Sequence, residues 1–122
     1  REPLWLGFVE RPDWIKEVVG VDTKGYTVLL SADAPRHVDA SHGFDGGDQR
    51  AAKPEDFGQL NSVLNDPDQL RAGEKSRQSN ATVVATKTIG EDIFRSVWEV
   101  LAGKRNRSLQ LTSLVIKTKA RK

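Results

Sequence analysis

The chain has no cysteine and no methionine among its 122 residues, and it has only two histidines. The absence of cysteine excludes disulfide bonds, thiol nucleophiles and cysteine-bound zinc. Two histidines are too few for a three-histidine metal site, and the aspartates do not follow the spacing of a calcium-binding loop. We therefore expect the protein to work with no metal and no other cofactor.

Long hydrophobic runs are also lacking, since no apolar stretch approaches the roughly 18 residues of a membrane span. No signal peptide is visible. The chain starts with Arg1 instead of methionine, and we expect it to be a segment of a longer protein. Its length predicts one domain over residues 1–122, with enough buried surface for a hydrophobic core.

The net charge of +2 hides a strong asymmetry between the two parts of the chain. Residues 1–70 contain 13 acidic and 7 basic residues, whereas residues 71–122 contain 12 basic and 4 acidic residues. Such asymmetry favours a basic face that binds a polyanion. The alternative is that these basic residues only solvate exposed strands and a basic tail over residues 117–122.

Hydrophobic periodicity predicts helices in the first part of the chain and strands in the second. Residues 1–9 and 71–80 show no regular pattern. This arrangement predicts an α+β fold in which N-terminal helices pack on a C-terminal twisted antiparallel sheet of about four strands. The expected helices cover residues 14–19, 31–43 and 54–65, and the expected strands cover residues 26–30, 82–89, 93–101 and 109–116.

Both histidines fall in one polar segment, Arg36-His37-Val38-Asp39-Ala40-Ser41-His42-Gly43. Histidine is the only side chain whose unperturbed pKa allows proton transfer in both directions near neutral pH. Ser31 or Asp33 is a plausible first residue for a helix that Gly43 ends. At about 100° per residue the two imidazoles point about 140° apart. The pair is a candidate for acid–base chemistry, and surface decoration or helix capping is the alternative.

The basic part of the chain contains groups that metal-independent RNA cleavage would need. In that reaction a base takes the proton of the 2′-hydroxyl, an acid protonates the 5′-oxygen, and cations stabilise the phosphorane. Glu99 is the sole acid after Asp92, and strand alternation places it on the same side as Arg95. It could act as a base or orient an arginine, and an ion pair with Arg95 is the alternative.

Other candidates in the basic part are weaker by themselves. Thr112 shares a predicted strand face with Gln110 and could reach a site, or it could be an ordinary strand threonine. Phe94 and Trp98 could stack on bases, but their spacing favours the core. Candidate cations for phosphate are Lys87, Arg95 and Arg107. No phosphate-binding glycine loop and no Gly-x-Ser-x-Gly motif is present.

The order of these motifs resembles a known family. It resembles the phage-associated and polymorphic-toxin branch of the barnase–EndoU–colicin–RelE-like ribonuclease superfamily, in particular the C-terminal toxin domains of MuF-type phage head-morphogenesis proteins. The resemblance covers residues 21–116. The residues that carry it are Val21-Asp22, Gly25-Tyr26, Arg36-His37, His42-Gly43, Arg50, Pro54-Glu55-Asp56, Asn65-Asp66-Pro67-Asp68, Trp98-Glu99-Val100 and Leu109-Gln110-Leu111-Thr112.

The resemblance implies an RNA-cleaving toxin that uses metal-independent transphosphorylation and leaves a 2′,3′-cyclic phosphate, often on tRNA. It places the catalytic roles on His37, His42, Glu99 and Thr112, and it adds Arg50 to the substrate-binding residues. At Arg50 the family has Arg-Gly, whereas here Ala51 follows.

The resemblance also implies a biological setting. Such a domain acts in the cytoplasm of a bacterial target cell, and its parent protein is secreted or carried by a virion. A cognate immunity protein, acidic at its contact surface, would inhibit it. A non-catalytic nucleic-acid-binding or phage structural module, and an adaptor for an acidic protein, remain alternatives.

Overall fold

The computed structural model describes residues 4–30, 49–50, 53–103 and 106–118. The helix expected over residues 31–43 lies outside these ranges. None of the described helices is long and apolar enough to cross a membrane. The described elements are the strands β1 (Leu4–Phe8), β2 (Thr27–Leu30), β3 (Gln49–Arg50), β4 (Gln69–Ala72), β5 (Thr82–Ile89), β6 (Asp92–Gly103) and β7 (Asn106–Thr118), and the helices α1 (Pro12–Val19), α2 (Pro54–Phe57) and α3 (Leu60–Asn65).

The seven strands form one mixed sheet. Its order is β1-β2-β7-β6-β5-β4, and the short strand β3 also pairs with β7. Strand β2 runs parallel to β7, and every other pair is antiparallel. Strand β7 therefore contacts β6 along one edge and both β2 and β3 along the other. Residues Ser108–Gln110 pair with β2, and residues Ile116–Lys117 pair with β3.

The α+β class predicted from the sequence is confirmed, and all four expected strands are present as β2, β5, β6 and β7. The number of strands is wrong, because β1, β3 and β4 were not expected. The purely antiparallel arrangement is also wrong, since β2 is parallel to β7. The helices are not grouped at the N-terminus either, because α2 and α3 follow the first three strands. Strand β7 extends to Thr118 and so includes the first two residues of the expected basic tail.

The hydrophobic core lies between α1 and α3 and one face of the sheet, which we call the covered face. Strand alternation places Phe94, Ser96, Trp98 and Val100 of β6 on this face, and all four are buried. The indole Nε1 of Trp98 donates a hydrogen bond to Ser96 Oγ at 2.7 Å. Phe94 and Trp98 are therefore core residues and do not stack on a ligand.

The opposite face of the sheet, which we call the open face, carries the alternate residues of the same strands. In β6 these are Arg95, Val97, Glu99 and Leu101, which are exposed or half-buried. The buried sheet residues of the core cluster, such as Val28, Trp98 and Leu109, lie on the covered face. The polar side chains of this sheet that could contact a ligand therefore lie on the open face, where they reach solvent.

Strand β1 is attached to α3 by two asparagine side chains. Asn61 Nδ2 donates to the carbonyl of Leu6 at 3.1 Å, and Asn65 Nδ2 donates to the carbonyl of Phe8 at 3.0 Å. Asn65 Oδ1 also accepts the backbone N–H of Glu10 at 2.9 Å. Because these bonds satisfy backbone groups that the sheet leaves unpaired, they hold this edge strand in one position.

Candidate active site on the open face

Glu99 lies on the open face in the middle of β6. Its Cα pairs with Thr82 of β5 on one side and with Gln110 of β7 on the other. Paired residues of adjacent strands point to the same face, so these three side chains form a row across the sheet. The placement of Glu99 on the side of Arg95 and Val97, predicted from the sequence, is confirmed.

Thr112 reaches the same region through an irregularity in β7. Val97 pairs with Ser113 and Trp98 pairs with Leu111, which leaves Thr112 as an extra residue in the ladder. Its Oγ1 donates to the carbonyl of Val97 at 3.2 Å. A β-bulge of this kind redirects a side chain and is common beside active sites. Here it brings the Thr112 hydroxyl next to the strand of Glu99.

A polar loop over residues 73–80 folds against the same part of the sheet. Thr82 Oγ1 donates to the carbonyl of Glu74 at 2.6 Å, and Ser76 Oγ accepts the backbone N–H of Asn80 at 3.1 Å. A Cβ on Gly73 would lie 2.6 Å from Thr82 Oγ1. This contact is too close for any other residue to take the place of Gly73 without a shift of the loop.

The loop and the open face form a cavity of about 460 Å³ that is open to solvent. Glu99 and Thr112, which the sequence analysis selected independently, both line it. A volume of this size can hold a nucleotide-sized group. The residues that line the cavity are Glu74, Lys75, Ser76, Arg77, Gln78, Thr82, Val97, Glu99 and Thr112.

The carboxylate of Glu99 is held by the loop. Asn80 Nδ2 donates to Glu99 Oε2 at 2.9 Å. Among the described residues, no cation lies within ion-pair distance of Glu99, so the expected alternative of an ion pair with Arg95 is not formed there. One neutral donor thus orients the carboxylate without neutralising its charge, which leaves its other oxygen able to accept a proton from a ligand.

Cations lie both in the cavity and elsewhere on the open face. Lys75 and Arg77 line the cavity from the loop. Arg71 of β4 pairs with Val84, and Arg95 of β6 pairs with Thr86, so both project from the open face. All four are exposed, and in the part of the chain that the structure describes none has a carboxylate partner. The cavity itself is thus lined by two cations and two carboxylates, Glu74 and Glu99, and the two further arginines add positive charge to the same face.

Two of the predicted substrate-binding residues lie elsewhere. Lys87 pairs with the core residue Phe94 and so points to the covered face. Its Nζ contacts Asp66 at the end of α3, at 2.6 Å from the carbonyl oxygen and 3.1 Å from Oδ2. Arg107 shares strand alternation with Leu109, which is also on the covered face. The structure brings neither residue to the cavity.

Arg95 does share the open face with Glu99, but at some distance. Four residues of strand separate their Cα atoms, which is about 13 Å at the rise of a β-strand. Arg95 therefore lies beside the cavity and not next to the Glu99 carboxylate.

His37 and His42 lie outside the described residues, as does the side chain of Arg50, whose backbone forms part of β3. The ends of the intervening chain are described. Leu30 ends β2 one residue after Leu29, which pairs with Gln110, and Gln49 begins β3 opposite Lys117. The segment with both histidines thus leaves and rejoins the sheet along one edge of β7, on either side of Thr112.

In the described ranges, no group of three or more histidine, aspartate or glutamate side chains could hold a metal ion. The sequence analysis missed Asn80, Lys75, Arg77 and Arg71, because it treated residues 71–80 as a polar break. A signal was available, since Asn80 lies two residues before Thr82, which pairs with Glu99. Strand alternation places residues two apart on the same face.

A family model described as phage-Barnase-EndoU-ColicinE5/D-RelE like nuclease3 matches residues 9–122. The comparisons with curated proteins and with solved structures gave no match. The family match covers nearly the whole chain and both strands that supply Glu99 and Thr112. The chain is therefore a member of the phage barnase–EndoU–colicin E5/D–RelE-like nuclease family.

Proposed function

We propose that the protein is a metal-independent endoribonuclease that cleaves RNA in the cavity on the open face. The observation that carries this proposal is the meeting of Glu99 and Thr112 in one cation-rimmed cavity, in a chain of a nuclease family. The substrate backbone is a polyanion, and the exposed cations Lys75, Arg77 and Arg95 provide the charge that binds it.

In this mechanism Glu99 takes the proton of the ribose 2′-hydroxyl as that oxygen attacks the adjacent phosphorus. The bond from phosphorus to the 5′-oxygen breaks, and the products are a 2′,3′-cyclic phosphate and a free 5′-hydroxyl. The hydrogen bond from Asn80 fixes one carboxylate oxygen and leaves the other to face the substrate. A positioned base of this kind typically contributes about 10²- to 10⁴-fold to the rate.

The leaving 5′-oxygen needs a proton, and we assign its donor to the histidine segment, to His37 or His42. The described residues on either side of this segment support the assignment, because Leu29 and Gln49 pair with the same edge of β7 on either side of Thr112. Thr112 contributes a hydroxyl that turns from the carbonyl of Val97 to a phosphate oxygen, and Lys75 and Arg77 stabilise the negative charge that develops on the phosphorane.

The decisive experiment is a cleavage assay on RNA in the presence of EDTA, with identification of the 2′,3′-cyclic phosphate. We expect Glu99→Gln to lower kcat/KM by about 10²- to 10⁴-fold, and His37→Ala with His42→Ala to abolish most of the remaining cleavage. Glu91→Gln is the matched control, because Glu91 is an exposed carboxylate in the turn between β5 and β6. Full activity of Glu99→Gln would contradict the mechanism.

Salt-dependent binding of RNA with no cleavage after long incubation would instead support the non-catalytic binding module. Loss of cleavage on addition of EDTA, with recovery on addition of a divalent metal, would contradict metal independence alone. A single tight complex with an acidic protein, and no affinity for RNA, would support the adaptor.

We also propose tRNA as the preferred substrate and growth inhibition of a bacterial cell as the biological effect. Expression in the bacterial cytoplasm should stop growth, and the Glu99→Gln variant should not. Exposed, unpaired cations at the cavity fit an immunity protein that is acidic at its contact surface. Such a protein should compete with RNA for binding.

A further inference from the structure

The edge strand β1 carries the largest exposed hydrophobic side chains in the described part of the molecule. Trp5 is 57% exposed and Phe8 is 54% exposed. Their ring centroids lie 5.5 Å apart, with an angle of 76° between the ring planes. In this edge-to-face pair the edge of one ring covers one face of the other, and both side chains remain more than half exposed.

The pair lies on the open face, together with the cavity. Trp5 pairs with Leu29, Leu29 pairs with Gln110, and Gln110 pairs with Glu99. One continuous row across four strands therefore joins the indole to the central carboxylate. With strands about 4.8 Å apart, the Cα atoms of Trp5 and Glu99 are roughly 14 Å apart.

A bulge in β1 makes this arrangement possible. Residues three apart in a regular strand point to opposite faces. Here the ladder skips Leu6, so Trp5 pairs with Leu29 and Phe8 pairs with Thr27 on the same face. Gly7 has a φ of +143°, and a Cβ there would lie 2.3 Å from Asn61 Nδ2. The backbone is thus shaped, and held by α3, so that both rings share one face.

We infer that the Trp5–Phe8 pair is a stacking site for a base of the single-stranded RNA that Glu99 cleaves, a subsite that rests on the proposed function. Aromatic faces bind every base and need no sequence-specific hydrogen bond. A strand with its scissile phosphate in the cavity crosses Gln110 and Leu29 and reaches the rings with a nearby nucleotide. The family match begins at residue 9, so this subsite lies outside the matched part of the chain.

The subsite explains why an otherwise costly surface is present. An exposed edge strand with large apolar side chains invites pairing with another chain. A base that covers the rings gives this surface a ligand of matching chemistry, and the cations on the same face bind the backbone of that ligand. The result is a site that distinguishes a single strand with free bases from a duplex with stacked ones.

The test compares two substrates and three variants. A dinucleoside monophosphate is too short to fill the cavity and the aromatic pair together, whereas a longer oligoribonucleotide spans both. Affinity is measured separately with a fluorescently labelled 2′-O-methyl oligonucleotide, which has no free 2′-hydroxyl to attack phosphorus. Trp5→Ala removes the platform and Trp5→Phe keeps an aromatic ring. Leu4→Ala is the control, because Leu4 is also 57% exposed on β1 but pairs with the core residue Leu30.

We expect Trp5→Ala to raise the Kd of the oligonucleotide by about 5- to 150-fold. Trp5→Phe should restore much of the affinity, and Leu4→Ala should match the wild type. The kcat/KM for the dinucleoside monophosphate should be unchanged in all three variants. Equal affinity of Trp5→Ala and the wild type, or an equal loss in Leu4→Ala, would overturn the subsite.

These measurements separate the subsite from the proposed function. Cleavage of the dinucleoside monophosphate with no effect of Trp5→Ala on affinity would refute the subsite alone. Trp5-dependent binding with no cleavage of either substrate would refute the nuclease mechanism alone. A change in sedimentation of the free protein on Trp5→Ala, without a change in Kd, would identify the pair as a contact between two copies and overturn our assignment.

Discussion

The two faces of the sheet are built from alternate residues of the same strands, yet they differ in burial and in polarity. On the covered face, Trp98 is fully buried and its one polar atom bonds to Ser96. On the open face, the neighbouring residue Glu99 is half-buried and is held by a single donor from a loop. The covered face fixes the positions of the strands, and this leaves the open face free to keep charges and an aromatic pair exposed.

A substitution on the covered face should give the largest loss of stability. Trp98→Ala should lower the free energy of unfolding by about 3 to 5 kcal/mol, because the side chain is fully buried and leaves a cavity. Urea denaturation measures the loss. Glu99→Gln, one residue away, should change stability by less than about 1.5 kcal/mol, the net value of one hydrogen bond. Similar losses for the two variants would mean that the faces are not energetically distinct.

Loss of the hydrogen bonds that attach β1 to α3 should give the next largest loss of stability. Asn65→Leu removes the side chain that bonds to the backbone of Phe8 and Glu10, and each buried backbone group left without a partner costs about 1 to 3 kcal/mol. The variant should lower both stability and the affinity for a long oligonucleotide, since the aromatic pair loses its support. Hydrogen exchange should show faster exchange of the amides of β1. Unchanged exchange there would show that the sheet alone holds the strand.

Removal of the ion pair between Lys87 and Asp66 should give the smallest loss of stability. Lys87→Met should cost only about 0.2 to 1 kcal/mol, because Asp66 is largely exposed and such pairs contribute little. RNA cleavage should stay at the wild-type level, since the lysine lies on the covered face. A large fall in kcat/KM would instead support the role in substrate binding that the sequence analysis assigned to this residue. Arg95→Met, on the open face, provides the matched comparison.

The four strands that consist of runs of β-branched and other apolar residues could be predicted from the sequence, because such runs between turn residues are typical of strands. Strand β1 could not, because its bulge breaks the alternation within five residues. Strand β4 is polar apart from Leu70 and has the pattern of a loop. The parallel pairing of β2 with β7 joins residues about 80 positions apart, and no local pattern encodes such a contact.

Part of the candidate site could be predicted from the sequence. Glu99 could be found because a lone acid in a basic strand region is unusual in composition alone. Thr112 was selected by the family resemblance and by strand alternation, which places it on the face of Gln110, whereas the bulge at this position cannot be seen in the sequence. Asn80, Lys75 and Arg77 enter the site only because a hydrogen-bonded loop folds over the sheet. The position of this loop over the sheet depends on tertiary contacts, which the local sequence pattern does not encode.

The position of β7 in the chain has a consequence for synthesis. It is the last described strand in chain order, yet it lies inside the sheet and joins β6 to β2 and β3. Contacts between segments so far apart form slowly, because the intervening chain must first lose its freedom. In chain order Thr112 is the last of the residues that line the cavity. During synthesis the candidate site therefore lacks this residue until β7 has left the ribosome.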